Sequence, residues 1–357
     1  AQRVQSLAEM LPSRTLVFIF CRNQVETVVG YLACLQKDAV ALLLDDNLDA
    51  TLIEHLIQTY KPSWLWRPID DCYQLLNTGL PRWPLHDSLA LLMTTSGSTG
   101  SPKLVRLSKQ NLESNAASIA QYLGLTAEER GLVSLPINYV YGLSIINSHL
   151  SVGATLLLTG KSVMQRELWN FVREERASSF AGVPYTYEIL KKLRFMRMDL
   201  PDLRTLTQAG GKLSAALQQE FTEYAEQSGK QFIVMYGAAE ATSRMAWLAP
   251  QDASTRYGSI GKPIPGGEFM LLDSDDKPIT TPGVAGELVY RGANVALGYA
   301  EKGEDLTLGD QFAGTLHTGD IATCDADGFY SIIGRKKRFL KIFGNRVGMD
   351  ERSEERR

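Results

Sequence analysis

No apolar run in these 357 residues comes near the roughly 20 residues that a membrane-crossing helix needs. LVFIF at 16–20 and VALLL at 40–44, among the longest, have the length of strands. Cysteine is scarce as well. Cys21, Cys34, Cys72 and Cys324 stand far apart with no CxxC pair, which excludes a disulfide framework, argues against a zinc site and fits a reducing, cytoplasmic compartment. Neither sign of charge dominates: 37 basic side chains against 40 acidic ones leave a net charge of -3, so nothing draws the chain as a whole to nucleic acid or anionic lipid. Neither a nucleic-acid partner nor membrane insertion is expected. No basic-then-apolar-then-small pattern opens the given residues, so no secretory leader is expected among them.

What is present is ordinary globular material, 44% hydrophobic and 22% charged, enough for two or three cores. Strand-like and helix-like runs alternate over the first 240 residues: TLVFIFC, a 3.6-period stretch near 24–36, AVALLL, another at 49–59, then WLWRP. This rhythm predicts α/β layers. From about residue 255 short β runs punctuated by Gly and Pro take over, as in GSIGKPIPGGEFMLLDSDDKPITTPGVAGELVYRG, which predicts hairpins or a small barrel. No repeat of period 20 to 50 is visible.

TTSGSTGSPK at 94–103 follows the strand-like SLALLM and carries no large apolar side chain. Gly97 and Gly100 allow close backbone approach, Thr94, Thr95, Ser96, Ser98 and Thr99 offer hydroxyl donors, and Lys103 brings a mobile positive charge, a combination suited to phosphate oxygens. It is neither a Walker loop nor a GxGxxG fingerprint. On composition alone a solvated Ser/Thr/Gly turn remains the alternative.

The stretch resembles the phosphate-binding signature of the acyl-adenylate-forming enzymes, the AMP-dependent synthetase/ligase superfamily that includes acyl-CoA synthetases. Further motifs follow in that family's order: LPINYVYGLS at 135–144, GVPYTYEIL at 182–190, AGGKL at 209–213, YGAAEAT at 236–242, HTGD at 317–320 and GRKKRFLKIFGNRV at 334–347. The resemblance implies a layered α/β core over 1–254, a β-rich, barrel-like subdomain of the same core over 255–333, and a hinge with the start of a small domain over 334–357. It implies ATP and Mg²⁺ as cofactors and a small carboxylic acid as substrate. Coenzyme A, or the phosphopantetheine of a carrier protein, is the implied thiol acceptor.

The implied roles fall on residues able to perform them. Thr95, Lys103 and Glu240 are the expected catalytic groups, with Thr95 and Glu240 beside the metal, since Mg²⁺ prefers carboxylate and phosphate oxygens. Gly210, Gly211 and Lys212 lie in the AGGKL motif, where the glycines let backbone approach the adenine, and Tyr236 offers the base a ring face. Gly237, Ala238 and Ala239 complete the nucleotide-binding stretch. Asp320 is placed to accept both ribose hydroxyls, with Arg335 beside it, and Lys337 falls at the hinge. The acyl pocket is expected from Tyr139, Tyr141, Gly142, Val183, Pro184, Tyr185, Ala238 and Met245, a mainly apolar and aromatic set.

Four departures accompany the resemblance. Ala239 replaces the usual threonine, removing a hydroxyl donor of a kind worth about 1–3 kcal/mol. Tyr139 stands where many relatives have a gating histidine, and Lys337 where many have aspartate. The given residues stop short of the small domain that carries the family's adenylation lysine. The expected activity is therefore ATP-dependent formation of an acyl-adenylate, slowed by these departures; a nucleotide-binding module without turnover and an inactive scaffold are the alternatives.

Overall fold

Along the strand Leu16–Cys21, Leu16, Phe18 and Phe20 enter one core while Val17, Ile19 and Cys21 enter another, the two-residue period of an extended chain buried on both faces. The computed structural model describes residues 1–357 apart from 71, 95–102, 337–338, 343–344 and 349–357, with backbone alone over 339–342 and 345–348. Leu16–Cys21 lies inside a seven-stranded sheet ordered Gly298–Ala300, Leu104–Ser108, Leu89–Thr94, Val40–Asp45, Leu16–Cys21, Trp64–Ile69, Cys72–Asn77. Its inner pairs are parallel and its outer ones antiparallel.

A second seven-stranded sheet runs Lys262–Pro263, Ala246–Leu248, Gln231–Tyr236, Thr205–Gln208, Ser179–Gly182, Arg130–Val133, Thr155–Leu158. Gln231–Tyr236 through Thr155–Leu158 are parallel, and the two short edge strands are antiparallel. One core joins the two sheets through helices Val25–Lys37, Lys109–Leu123 and Val140–Ser151, combining Ile19, Leu43 and Leu91 with Tyr31, Leu112, Ile145, Val133 and Ile233. The outer faces have cores of their own, one around Phe18, Leu42 and Tyr60, the other around Phe180, Tyr187 and Phe221.

The expected helices near 24–36 and 49–59 are Val25–Lys37 and Ala50–Tyr60. Asp49 starts the latter by accepting from the Thr51 and Leu52 amides. The Gly- and Pro-rich region folds as an antiparallel sheet of four strands, Gly267–Leu272, Gly286–Gly292, Thr315–Cys324 and Tyr330–Arg335. Phe339–Ile342 and Asn345–Gly348 pair as a separate hairpin.

The segment 293–300 ties these bodies together around the future site. Asn111 caps helix Lys109–Leu123 reciprocally with Ser108, and its amide donates to Ala293 O and Val295 O, both at 2.8 Å. Asn294 donates to Ala241 O at 2.8 Å and Arg244 O at 3.0 Å, while the Ala296 amide reaches Glu240 O at 2.8 Å. Asn111 is buried, so Asn111→Ala leaves two carbonyls and the Ser108 amide without partners. We expect a loss of about 3 kcal/mol in unfolding free energy. Denaturant titration checks it, and a change under about 0.5 kcal/mol, the scatter of ordinary surface substitutions, would refute this account.

Candidate active site

Strand Gln231–Tyr236 ends at the carboxyl edge of its parallel sheet, where open α/β sheets bind ligands. Tyr236, its last residue, donates from its hydroxyl to Asp320 Oδ2 at 2.5 Å, joining the second sheet to strand Thr315–Cys324. Burial, reinforced by the neighbouring carboxylate, holds the Tyr236 hydroxyl protonated far above the ordinary tyrosine range. It is a fixed donor. Asp320 pairs across the ladder with Arg335, whose Nε lies 3.7 Å from Oδ1 and whose side chain is 81% exposed, so solvent screens that contact.

After Tyr236 the chain turns through Gly237. A Cβ there would come within 1.7 Å of Ser243 O, because the Met245 amide returns to Tyr236 O and draws the two arms of the turn together. Three residues further, Glu240 Oε1 accepts from the Tyr299 hydroxyl at 2.8 Å. Lys103 Nζ stands 3.6 Å from the centroid of the Tyr299 ring and 3.6 Å from Glu301 Oε1. Contacts therefore run Asp320, Tyr236, the 237–240 turn, Glu240, Tyr299, Lys103. Thr94 ends the strand leading toward this place; Thr95, Ser96, Gly97, Ser98, Thr99 and Gly100 lie outside the described residues, as does Lys337.

Gly210 needs its glycine: its φ is +82°, and a Cβ would meet the Tyr139 hydroxyl at 2.4 Å. Gly211 rests against Pro184, and Gln208 donates to Gly211 O at 2.9 Å. Lys212 Nζ reaches across to Ile332 O at 3.1 Å. Of the expected acyl-pocket residues, Tyr139, Tyr141 and Val183 gather beside Gly210, with the two tyrosine rings edge to face at 6.3 Å. A Cβ at Gly142 would meet Pro136 O at 2.2 Å, so this glycine serves the close helix start. Tyr185 is 66% exposed. Met245 is fully buried with Tyr290, Val295 and Leu316, and Ala238 packs against that same cluster, so the structure brings neither into the Tyr139–Tyr141 group.

A family model described as AMP-binding enzyme matches residues 59–300. The chain belongs to the AMP-binding enzyme family. This AMP-binding enzyme chain is 31% identical over 263 residues to a feruloyl-CoA synthase of Amycolatopsis sp, an alignment covering 73% of the chain and 52% of the relative. It is 32% identical over 277 residues to a long-chain-fatty-acid–CoA ligase of Salmonella typhimurium, covering 74% and 47%. The chain thus spans about half the length of the curated relatives it matches. In fold it is similar to an o-succinylbenzoate coenzyme A synthetase from Bacillus subtilis solved with ATP and magnesium ion, at a TM-score of 0.76, 22% identity and coverage of 97% of this chain and 74% of that one.

Two residues of this candidate site, Tyr299 and Arg244, had no role assigned from the sequence. Tyr299 lies in VALGYA, which carries no polar signal besides its hydroxyl; strand pairing of Gly298–Ala300 with Leu104–Ser108 places it beside Lys103. Arg244 stands at the edge of the apolar run MAWLA, after Thr242 and Ser243, where a charge is ordinary in the sequence; its burial comes from the fold.

Proposed function

We propose that this chain binds ATP and a carboxylic acid and joins them as an acyl-adenylate, releasing pyrophosphate, with later transfer of the acyl group to a thiol of coenzyme A or a carrier protein. The observation that carries the reading is the run of contacts from Asp320 through Tyr236 and Glu240 to Lys103, which links the carboxylate proposed for the sugar to the lysine proposed for the phosphates. Family membership and the CoA-ligase relatives support it.

In this reading Asp320 accepts the two ribose hydroxyls, held in place by the Tyr236 hydroxyl, and the Gly210–Gly211 backbone borders the adenine. Lys103 neutralises phosphate charge together with Thr94, Thr95 and the following loop. Glu240 is a fitting ligand for Mg²⁺: Tyr299 holds Oε1, while Oε2 makes no hydrogen bond or ion pair among the described residues. One or two carboxylates, substrate phosphates and retained waters are the usual company of this ion, which when bound would supply positive charge to the phosphate oxygens. Positioning and charge neutralisation then bring two anions together, and no side-chain nucleophile is needed. Ala239 offers no hydroxyl, so turnover slower than in a threonine-bearing relative fits.

ATP–pyrophosphate exchange across a panel of acids tests the proposal. Acid-dependent exchange supports it; AMP binding without exchange on any acid would leave only a nucleotide-binding module. Tyr299→Phe, which keeps the ring under Lys103 but frees Glu240, is expected to slow exchange roughly 10- to 100-fold, the worth of a hydrogen bond to a charged acceptor. An unchanged rate would remove Tyr299 from the site.

A further inference from the structure

Two arginines are almost wholly withdrawn from water, and the fold answers them differently. Arg106 is surrounded by carbonyl oxygens: Nε donates to Tyr299 O, Nη1 to Leu308 O, and Nη2 to Leu297 O, Gly309 O and the Gln311 side chain. Every nitrogen has a backbone partner, the pattern of a residue that holds strands together. Arg244, 2% exposed, has no carbonyl partner among the described residues. Nη1 reaches the Tyr122 hydroxyl at 3.1 Å and the Met235 sulfur, Nη2 reaches Ser144 Oγ at 3.0 Å, and Nε is buried without a partner. Among the described residues no carboxylate lies within ion-pair distance of it.

A guanidinium carries five N–H donors. Three of those on Arg244 are used, one of them on a weak sulfur acceptor, which among the described residues leaves the Nε donor and one Nη2 donor. These sit on adjacent nitrogens, the fork that a carboxylate grips with both oxygens. A buried charge left in this condition is costly unless an anion completes it.

The fork's position points to the anion's source. The Arg244 guanidinium lies 4.4 Å from the centroid of the Tyr141 ring, Tyr141 meets Tyr139 edge-on, and Tyr139 rests its hydroxyl on Gly210. Its positive charge reaches both tyrosines, opposing the upward push that burial gives their hydroxyls. Arg244 also follows the turn that carries Glu240, with its Cα directly behind Gly237. It therefore lies at the inner end of the tyrosine-lined group beside the nucleotide residues.

We propose that Arg244 receives a second carboxylate at the far end of the acid substrate, so that this chain prefers dicarboxylic acids. The inference rests on the acid-activation reading above. Half-buried Tyr139, between Gly210 and Tyr141, is the side chain that moves to admit the tail.

The test is titration calorimetry of the full chain with a series of α,ω-dicarboxylates and the monomethyl ester of each, with and without AMP. Each ester keeps the carboxylate to be activated and lacks only the second negative charge. At least one diacid is expected to bind roughly 10- to 100-fold more tightly than its ester. Arg244→Met should level the pair, and Arg244→Lys, a point charge without the fork, should keep only part of the preference. Equal binding of diacid and ester throughout the series, binding of neither, or a preference that survives Arg244→Met overturns the proposal. The wild-type comparison decides alone if a variant does not fold. Failure of AMP to bind would count against acid activation, and is read separately from the diacid-to-ester ratio measured without nucleotide.

Discussion

Asp320→Ala should abolish the stabilisation that AMP and ATP give this protein. In the proposed function both ribose hydroxyls donate to this carboxylate, and each hydrogen bond to a charged acceptor contributes about 1.5–3 kcal/mol. Losing the pair weakens nucleotide binding by more than roughly 100-fold. A nucleotide at 100 times its dissociation constant adds about 2.7 kcal/mol to the wild type, so a thermal melt reads the loss directly. Asp320→Asn separates two effects, because an amide still accepts from the Tyr236 hydroxyl, 2.5 Å from Oδ2, but offers the sugar a weaker partner. It should retain the unliganded melting temperature while losing most of the nucleotide response. If Asp320→Ala bound AMP as the wild type does, the sugar would lie elsewhere and the run of contacts from Asp320 to Lys103 would not be a nucleotide site.

The second large effect is expected at Gly237. Its missing Cβ is the space in which Ser243 O and Arg244 Cα sit, at 1.7 Å and 2.9 Å from where the carbon would be. Both neighbours are backbone, and the bond from the Met245 amide to Tyr236 O holds them close. Gly237→Ala must open that turn, at a cost of about 3 kcal/mol or more in stability, and it pulls Tyr236 and Glu240 out of register with Asp320 and Tyr299. Stability and nucleotide binding should fall together. Gly160→Ala is the control, since nothing lies within 4 Å of its added carbon, and it should be neutral or stabilising by up to about 1 kcal/mol. Urea titrations of the two variants giving equal midpoints would show that the turn at 237 is not tight.

Much of this was legible in one dimension. The alternation of Leu16, Phe18 and Phe20 with Val17, Ile19 and Cys21 follows from the pleat, which is local. The helices at 25–37 and 50–60 follow from their apolar spacing. Gly210 and Asp320 could be singled out because their short motifs stand in a family's order; that Gly210 takes a positive φ and that Asp320 lies within strand Thr315–Cys324 is what the structure adds.

Tyr299 and Arg244 were not legible in that way. Each is defined by partners far along the chain, Tyr299 by Glu240 and Lys103, Arg244 by Tyr122, Tyr141 and Ser144, and no local pattern encodes those meetings. Met245 illustrates the same limit. It was expected beside the acyl group from its motif, yet it packs against Tyr290 and Leu316, in a core whose other members, Ala241 apart, come from some 45 to 70 residues further along the chain.

Order along the chain was thus enough for the layered α/β class and the family, and it named candidate residues for a nucleotide, since these depend on local periodicity and on motifs a few residues long. Which side chains gather beside Gly210, and that a buried arginine near them keeps donors without partners among the described residues, depended on the packing of sheets whose strands are distant in sequence. Burial is a property of the whole fold, and burial is what turns Arg244 from an ordinary surface charge into a group that needs an anion.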